Sequence, residues 1–274
     1  APTTRMPALP WVIDRSGFLE GRRGEARGAL SFGRAARYLG GMTSCQHCVV
    51  RNRAICAALN PSELAVLNKV GRRVPVRAGE TLMWEGDESA LVANVIDGVL
   101  KLSTSTADGR EQIVGVVYPS DFIGRPYGQT TPHSVTALSD AQVCLFTRGA
   151  FEEFARSHPG LEHKLLERTL EELDRARDWM LLLGRKSAGE KVATFLLEMA
   201  QRLGDAGCSA SGAPEERFEL PLSRGQMADL LGLTIETVSR QLTRLREAGI
   251  VDLPGRRTVV ILAHDAMEAE AGNG

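Results

Sequence analysis

The chain has 274 residues, enough for two modest domains, and its 43% hydrophobic and 24% charged content is that of an ordinary soluble globular protein. Its net charge of −1 and pI of about 6.6 argue against a generally basic nucleic-acid coat protein, but they leave room for a local basic face. No apolar run is long enough to span a bilayer and no signal peptide is recognisable, so we expect a cytoplasmic protein without a membrane partner.

Residues 1–41 differ from the rest of the chain. They are rich in Arg and Gly and show no sustained hydrophobic period, which predicts a disordered extension. Met42 directly precedes the first cysteine motif. A native start at Met42 and a functional basic arm upstream of it are therefore two alternative interpretations.

Three cysteines follow at once, Cys45, Cys48 and Cys56, separated by two and then seven residues, and Cys144 lies far downstream in a strand-like run. In a reducing compartment such cysteines favour metal ligands or buried thiols over disulfides. Three thiols in a short polar loop and one distant thiol form a ligand set for a soft metal centre, which is either a tetrahedral metal ion or an iron–sulfur cubane. The alternatives are a structural zinc site for the first three and a buried strand thiol for Cys144.

The stretch Asn60-Pro61-Ser62-Glu63 predicts the start of a short amphipathic helix. From Val74 to Phe146 the pattern changes to short β-type runs separated by glycines, and Asp108-Gly109 indicates a hairpin. Many short strands at even spacing predict a small barrel or β-roll.

After Pro159 a long helix is predicted to run to about Gly184. Its apolar positions follow steps of four and three, typical of a dimeric coiled coil, although an arginine interrupts the seam. A helix packed on its own β-roll is the alternative. The predicted dimer-interface residues are Leu166, Leu170, Leu173, Arg177 and Met180. A second helix is predicted over residues 185–204, and a polar loop from Asp205 to Glu216.

Residues 222–242 carry the signals of a helix-turn-helix. Ser223 and Gln226 form a capping box, Gly232 supplies the turn, and Thr234 can cap the second helix. Small Ala228 suits the close crossing of two helices, and the segment after residue 254 predicts a wing hairpin with a basic tip.

On the second helix Glu236, Ser239 and Arg240 fall at i, i+3 and i+4 and therefore share one face. Arg can bind guanine, Glu can accept from cytosine, and Ser can contact either kind of base edge. A surface ion pair on a structural helix is the alternative. The remaining candidate DNA contacts are Thr234 and Thr237, with Arg244, Arg246 and Arg257 as candidates for phosphate.

With these motifs the sequence resembles the CRP/FNR superfamily of bacterial transcription regulators, and specifically its FNR-type, oxygen-responsive branch. The resemblance covers nearly all of residues 43–267 and is most specific in the cysteines, in Arg177–Leu183 and in Gly232–Arg240. It implies an α+β fold with an N-terminal β-roll of the cyclic-nucleotide-binding, jelly-roll type, a long dimerisation helix and a C-terminal winged helix-turn-helix. The predicted segments are residues 1–41, 42–158, 159–184 and 185–274.

The resemblance also implies a cofactor and partners. FNR-type proteins hold an oxygen-labile [4Fe–4S] cluster through four cysteines that match Cys45, Cys48, Cys56 and Cys144, although the seven-residue spacing here is longer than in the enteric type. The resemblance further implies that the chain forms a homodimer, which binds double-stranded DNA at a palindrome like TTGAT-N4-ATCAA, and that RNA polymerase is a further partner. An intact cluster is expected to favour the dimer.

Other functions fit the residues less well. A cyclic-nucleotide site needs an arginine after the phosphate loop, where this chain has His133-Ser134-Val135, so cAMP is an unlikely ligand. No distinctive haem ligand stands out. An enzyme or electron carrier would need a nucleophile–base constellation or a second cofactor motif, which is missing, so we predict that the chain is not an enzyme.

Overall fold

The structure of the chain, a computed structural model, describes residues 11–13, 19–21, 45–109, 111–203, 205–208 and 214–272. The chain divides into two compact units, Ala1–Leu39 and Gly40–Gly274. In the first unit, strands β1 (Trp11–Ile13) and β2 (Leu19–Gly21) pair antiparallel. These two strands lie within residues 1–41, the segment predicted to be a disordered extension, and the other residues of that segment lie outside the described ones.

The second unit begins with the cysteine segment, residues 45–59, which contains two short 3-10 helices, Cys45–His47 and Ile55–Ala58. Helix α1 (Pro61–Val70) follows, as predicted. The Asn60 side chain accepts hydrogen bonds from the Ser62 and Glu63 amides, and the Glu63 carboxylate accepts one from the Asn60 backbone amide, so the helix start has a complete capping box. The helix buries Leu64 and Leu67 against the β-roll side of the unit.

A β-roll of two four-stranded antiparallel sheets comes next, and it confirms the predicted architecture. One sheet has the order β3-β10-β5-β8 and the other β4-β9-β6-β7. Alternate residues of the facing strands form a dry core between the sheets. The strands are β3 (Arg72–Val76), β4 (Thr81–Met83), β5 (Leu91–Asp97), β6 (Leu100–Ser105), β7 (Glu111–Val117), β8 (Phe122–Ile123), β9 (Ser134–Ala137) and β10 (Ala141–Thr147).

Three helices lead from the β-roll to the C-terminal part of the chain: α2 (Arg148–Arg156), α3 (Pro159–Arg185) and α4 (Ala188–Leu203). Helix α3 has the predicted length, and Pro159 occupies its first turn, where the missing N–H has no intrahelical partner to lose. It buries Leu161 and Leu182 near its two ends. No helix among the described residues is both long and apolar enough to cross a membrane.

The C-terminal part is a winged helix-turn-helix, as predicted. Helices α5 (Arg224–Leu231) and α6 (Ile235–Glu247) pack against each other, and α6 and α7 (His264–Glu270) both pack against α4. Strands β11 (Asp205–Cys208), β12 (Pro214–Glu219), β13 (Val251–Asp252) and β14 (Thr258–Ile261) form one sheet in the order β11-β12-β14-β13.

The predicted polar loop from Asp205 to Glu216 is wrong over its described residues. These belong to the antiparallel pair β11 and β12 instead. The polar composition concealed the strands because β12 obtains its order from pairing with β14, which is remote in sequence. The β13–β14 hairpin is the predicted wing, with residues 253–257 at its tip.

The β-roll and the helix-turn-helix share one hydrophobic cluster. Ile113 and Tyr118 of the β-roll belong to the same buried group as Phe195 and Met199 of α4. The Gln112 side chain donates a hydrogen bond to the Asp229 carbonyl, 2.7 Å away in the last turn of α5. Carbonyls of a last helical turn lack intrahelical partners, so a β-roll side chain completes the C-terminal end of a helix-turn-helix helix.

Candidate metal centre and nucleic-acid interface

The cysteine segment is a chain of tight turns. The Cys48 amide donates to the Cys45 carbonyl, and the Ala54 amide donates to the Val50 carbonyl at 2.8 Å. Val50, Ala54 and Ile55 are buried and fasten the segment to the rest of the unit. These three apolar anchors lie between Cys48 and Cys56 in the chain, and they hold the segment at one edge of the β-roll.

Cys144 reaches the same place from strand β10. In the sheet it pairs with Asn94 of β5 and with Arg73 of β3. Asn94 donates a side-chain N–H to the Cys56 sulfur over 3.6 Å, so it lies between the distant cysteine and the segment. Cys144 packs against both small apolar clusters that bury the segment. The fold thus brings together all four predicted ligands.

The four thiols act on one another electrostatically. Burial, together with the charges of Cys45 and Cys48, raises the pKa of the Cys56 thiol to about 12. Burial raises the pKa of the Cys144 thiol to about 12 as well, with Cys56, Cys45 and Cys48 acting in the same direction. Repulsion of this kind indicates that the sulfurs lie close to one another. Without a ligand the Cys56 and Cys144 thiols stay protonated, and binding of a metal group must release their protons.

Two arginines oppose that repulsion. Arg51 lowers the pKa of the Cys56 thiol, and Arg73 lowers those of Cys45 and Cys144, although burial outweighs both. Four thiolates around an iron–sulfur core leave a net negative charge, which these guanidinium groups would partly balance. Arg51 and Arg73 are therefore the candidates for balancing that charge.

The four cysteines supply the thiolate donors that either a tetrahedral metal ion or an iron–sulfur cubane takes. Among the described residues, no three His, Cys, Asp or Glu side chains are grouped so that they could hold one metal ion. A tetrahedral zinc ion, with Zn–S bonds of about 2.3 Å, draws its sulfurs to within about 4 Å of one another. A cubane is larger and attaches each thiolate to a different iron, so it accepts more widely spaced sulfurs. Four convergent cysteines match it in number and in chemistry.

Sequence reasoning missed two asparagines at this site. Asn94, 2% exposed, donates to Cys56, and the Cys45 thiol donates to the Asn68 Oδ1 atom at 3.1 Å. Hydrogen bonds to ligand sulfurs tune the potential and orientation of a metal group. A usable signal existed for Asn94, since it is the one amide in the otherwise apolar strand run Leu91–Ile96.

The β-roll also contains a cavity of about 710 Å³, bounded on one side by helix α3. His133, Arg168 and Arg175 are among the residues that line it, and each has one buried side-chain nitrogen without a hydrogen-bond partner. The Ser134 hydroxyl accepts from the Glu85 amide instead of facing a ligand. The cavity therefore has donors for an anion but lacks the arginine–serine pair of a cyclic-nucleotide site.

Helix α3 presents two different faces. Its inward face contacts the β-roll, where Arg175 lies 3.6 Å from Asp121. All five predicted interface residues lie on the exposed side of the helix, and Leu166, Leu170 and Met180 are 55%, 52% and 73% exposed. Arg177 pairs with Asp174 on the same helix over 3.0 Å. A helix packed on its own β-roll and an apolar outward stripe thus occur together.

The helix-turn-helix has the caps that the sequence predicts. The Ser223 hydroxyl accepts from the Gln226 backbone amide, and the Gln226 side-chain oxygen accepts from the Ser223 backbone amide. Gly232 ends α5 with φ of 62°, a left-handed conformation that favours glycine. The Thr234 hydroxyl accepts from the Thr237 amide and caps α6. These local bonds fix the angle between the two helices.

The predicted recognition face lies at the N-terminal end of α6. Glu236 and Arg240 are exposed and Ser239 is half-buried, whereas Val238 on the other side is fully buried. Hydrogen bonds from its own amide and from Thr234 lower the pKa of the Glu236 carboxyl, and Arg240 acts in the same direction. An ionised Glu236 is the acceptor that a cytosine amino group requires.

Neighbouring side chains hold this face in position. The Arg224 guanidinium donates to the Ser239 hydroxyl over 3.2 Å, and Arg240 donates to the Thr237 hydroxyl over 3.3 Å. Both arginines keep further N–H donors for DNA. Sequence reasoning missed Arg224, which belongs to the preceding helix.

The candidate phosphate contacts differ in their surroundings. Arg257 is exposed at the wing tip, in keeping with its predicted role. Arg244 instead donates to Glu270 of α7 and to Gln241 on its own helix. A phosphate contact by Arg244 stays a prediction, and it requires the pair with Glu270 to open.

Comparison with known protein families finds a match for each half of the second unit. Residues 190–270 match the family described as the Crp-like helix-turn-helix domain. Residues 73–158 match the family described as the cyclic nucleotide-binding domain. The first match contains the complete helix-turn-helix and wing, and the second contains the β-roll with Cys144.

Individual relatives extend the similarity along the chain. It is 44% identical over 229 residues to the transcriptional activator protein FnrL of Cereibacter sphaeroides, covering 84% of this chain and 92% of the relative. It is 41% identical over 207 residues to the nitrogen fixation regulation protein FixK of Bradyrhizobium diazoefficiens, covering 76% and 85%. The solved structure of FixK2 from Bradyrhizobium japonicum matches with a TM-score of 0.66 at 36% identity, over 73% of this chain and 96% of that one. These names describe regulators rather than enzymes, and none of them states a cofactor.

Proposed function

We propose that this chain, which belongs to the CRP/FNR family of transcription regulators, is an oxygen-responsive regulator of the iron–sulfur type. Its relatives are transcription regulators, and the chain is not an enzyme. The observation that carries this proposal is the convergence of Cys144 with the three cysteines of the segment: Cys144 packs on the same two apolar clusters as Cys45, Cys56 and Cys48, and these three thiols raise its pKa. The protein would act in the cytoplasm on double-stranded DNA.

These four cysteines would hold a [4Fe–4S] cluster. When bound, such a cluster supplies oxygen sensitivity, because an exposed cubane is open to attack by oxygen. The protein's own contribution is to convert ligation of the cysteines into a link between two parts of the fold. With all four thiolates ligated, the cysteine segment is tied to strand β10, and when ligation is lost only the apolar anchors Val50, Ala54 and Ile55 and a few hydrogen bonds hold it.

The link between the cysteine segment and strand β10 would favour a homodimer that forms through the exposed apolar stripe of α3. An apolar stripe along a 27-residue helix suits a parallel pair of helices around a two-fold axis. Dimerisation sets two α6 helices about one DNA turn apart, so both half-sites of a palindrome can be occupied together. A monomer bound at one half-site would lose most of the affinity and specificity.

On DNA, Glu236, Ser239 and Arg240 would contact base edges of a site like TTGAT-N4-ATCAA, with Thr234 and Thr237 beside them. The lowered pKa of Glu236 keeps it an acceptor, and the bonds from Arg224 and to Thr237 hold the face. Arg257 would contact phosphate. Recruitment of RNA polymerase belongs to the proposal because the relatives include a transcriptional activator.

DNA binding under two atmospheres tests this proposal. Protein purified without oxygen should bind a palindromic duplex as a dimer, and brief exposure to air should weaken binding by at least tenfold. A duplex with one scrambled half-site is the matched control and should show little response to air. Equal affinity before and after air would contradict the proposal.

A second candidate function rests on the β-roll cavity. Its volume suits a small ligand, and the unpartnered nitrogens of His133, Arg168 and Arg175 suit an anion with an apolar body. In this alternative the regulator responds to a small effector, and the cysteines hold a structural zinc ion. The cluster proposal explains the thiol convergence, which the cavity does not.

Calorimetric titration separates the two. The cluster proposal predicts no heat with cAMP and no change in DNA affinity when cAMP is present. Saturable binding that alters DNA affinity, in protein containing zinc but no sulfide, would favour the second candidate. A His133→Ala variant should then lose the binding while keeping its zinc.

A further inference from the structure

Helix α3 touches the cysteine segment directly, at two points two turns apart. Near its start, Gly160 lies beside the 3-10 helix Ile55–Ala58, where a Cβ atom would come 3.6 Å from the Ala58 carbonyl. Further along, Arg168 donates a hydrogen bond to the Arg53 carbonyl within the segment. With a rise of about 1.5 Å per residue, these contacts lie about 12 Å apart along the helix. The segment therefore lies along the helix rather than touching it at one end.

Arg168 is held firmly in this position. One guanidinium nitrogen donates to the Arg53 carbonyl and another pairs with Glu171 over 2.8 Å on the same helix. Its side chain is 22% exposed, and its Nε atom is buried at the wall of the β-roll cavity. A bond between a charged group and a backbone carbonyl in such a setting is stronger than an exposed ion pair.

The position of Arg168 on the helix links the two faces. Leu166 and Leu170, both in the outward stripe, lie two residues before and after it. Residues two apart are about 200° apart around a helix, so Arg168 faces the cysteine segment while its neighbours face away. If the cysteine segment moves, it therefore pulls on Arg168 at one side of this helical turn, while Leu166 and Leu170 of the dimer stripe lie on the opposite side of the same turn.

We propose that Arg168 is the positioning residue through which the state of the cysteine segment is communicated to the dimer stripe of α3. The inference rests on the proposed function and adds the connection inside the protein. With the cysteines ligated, the Arg53 carbonyl is held where Arg168 can reach it. When ligation is lost and the segment moves, the guanidinium loses its acceptor, and this turn of α3 is no longer fixed to the segment.

The test compares cluster content with self-association. Arg168→Ala and the matched control Lys164→Ala are purified without oxygen and assayed for iron and sulfide and for the dimer dissociation constant. Lys164 lies one turn earlier and pairs with Glu167 on its own helix. We expect full cluster content in both variants before air exposure and a dimer dissociation constant raised roughly tenfold in Arg168→Ala alone. After air exposure the dimer of Lys164→Ala should weaken as in wild type, whereas that of Arg168→Ala should change little further.

The outcomes separate the two ideas. Wild-type protein without iron and sulfide would overturn the proposed function itself. Cluster-loaded Arg168→Ala that dimerises as tightly as wild type would overturn the coupling and leave the cluster proposal standing. If Arg168→Ala fails to fold, Arg168→Lys and Arg168→Met replace it, since both keep the aliphatic stem and only Lys keeps a donor. Lys should restore part of the oxygen response, and identical behaviour of the two would contradict the coupling.

Discussion

The cysteine site and the helix-turn-helix are built in opposite ways. In the helix-turn-helix, each cap bond joins residues three apart in the sequence, as between Ser223 and Gln226. At the cysteine site, Cys144 is 88 residues from Cys56, and strand pairing with β3 and β5 brings it there. The first surface is complete in the polypeptide alone, and the second gathers mutually repelling thiols that a ligand would stabilise. A sensor benefits from this difference, because the labile part is the one that depends on its ligand.

The largest effect is expected when the distant ligand of the cysteine site, Cys144, is removed. Cys144→Ser is expected to reduce iron and sulfide from about four each per chain to nearly none, because a cubane needs all four ligands to remain stable. Anaerobic dimerisation should fall to the level of air-treated wild type. Cys208→Ser is the matched control and should keep the wild-type content. Full iron and sulfide in Cys144→Ser would remove this residue from the ligand set.

A change on the recognition face should have a large but confined effect. Glu236→Ala should relax the preference at one base position by about 1–3 kcal/mol and leave the other positions unchanged, because a single acceptor is lost. Competition binding with a panel of single-base variants measures this. Glu247→Ala, exposed at the far end of α6, serves as the control. A uniform loss across the whole panel would assign Glu236 to the stability of the helix instead.

Removing a local cap should cost less. Ser223→Ala should lower the free energy of unfolding by about 1 kcal/mol, since the Gln226 amide loses its acceptor. Chemical denaturation of the cluster-free protein measures this. Ser223→Asp keeps an acceptor and should be close to wild type. If Ala and Asp behave alike, the cap seen between Ser223 and Gln226 does not stabilise the protein.

The smallest effect is expected at Glu198, where helix α4 lies close to charged residues of α3 and of the β-roll. Burial raises the pKa of the Glu198 carboxyl on α4, and Glu172 and Asp121 add to this against the opposing Arg202 and Arg175. A carboxyl with a raised folded pKa contributes stability that is full below its unfolded pKa and is lost as the pH rises through the folded pKa. Glu198→Gln does not titrate, so it should match wild type near about pH 4 and become the more stable protein by about pH 8.

Thermal unfolding at several pH values measures that difference. A variant that becomes less stable than wild type as the pH rises would show that the arginines outweigh burial. Glu247→Gln, which is exposed, should follow wild type throughout the range.

Sequence reasoning succeeded where the determinants are local. The caps at Asn60, Ser223 and Thr234, the Gly232 turn and the β6–β7 hairpin at Asp108-Gly109 are all confirmed. It failed where order comes from remote partners, as in the β11–β12 hairpin and in the pairing of Arg244 with Glu270. Asn94, Asn68 and Arg168 were missed for the same reason, since each is defined by a contact across the fold.

The most direct test of the central claim is the iron and acid-labile sulfide content of the wild-type protein, purified without oxygen and measured again after brief exposure to air. The proposal predicts about four of each per chain at first and a marked loss after air. Zinc without sulfide, unchanged by air, would contradict it and would make the four convergent cysteines a structural site.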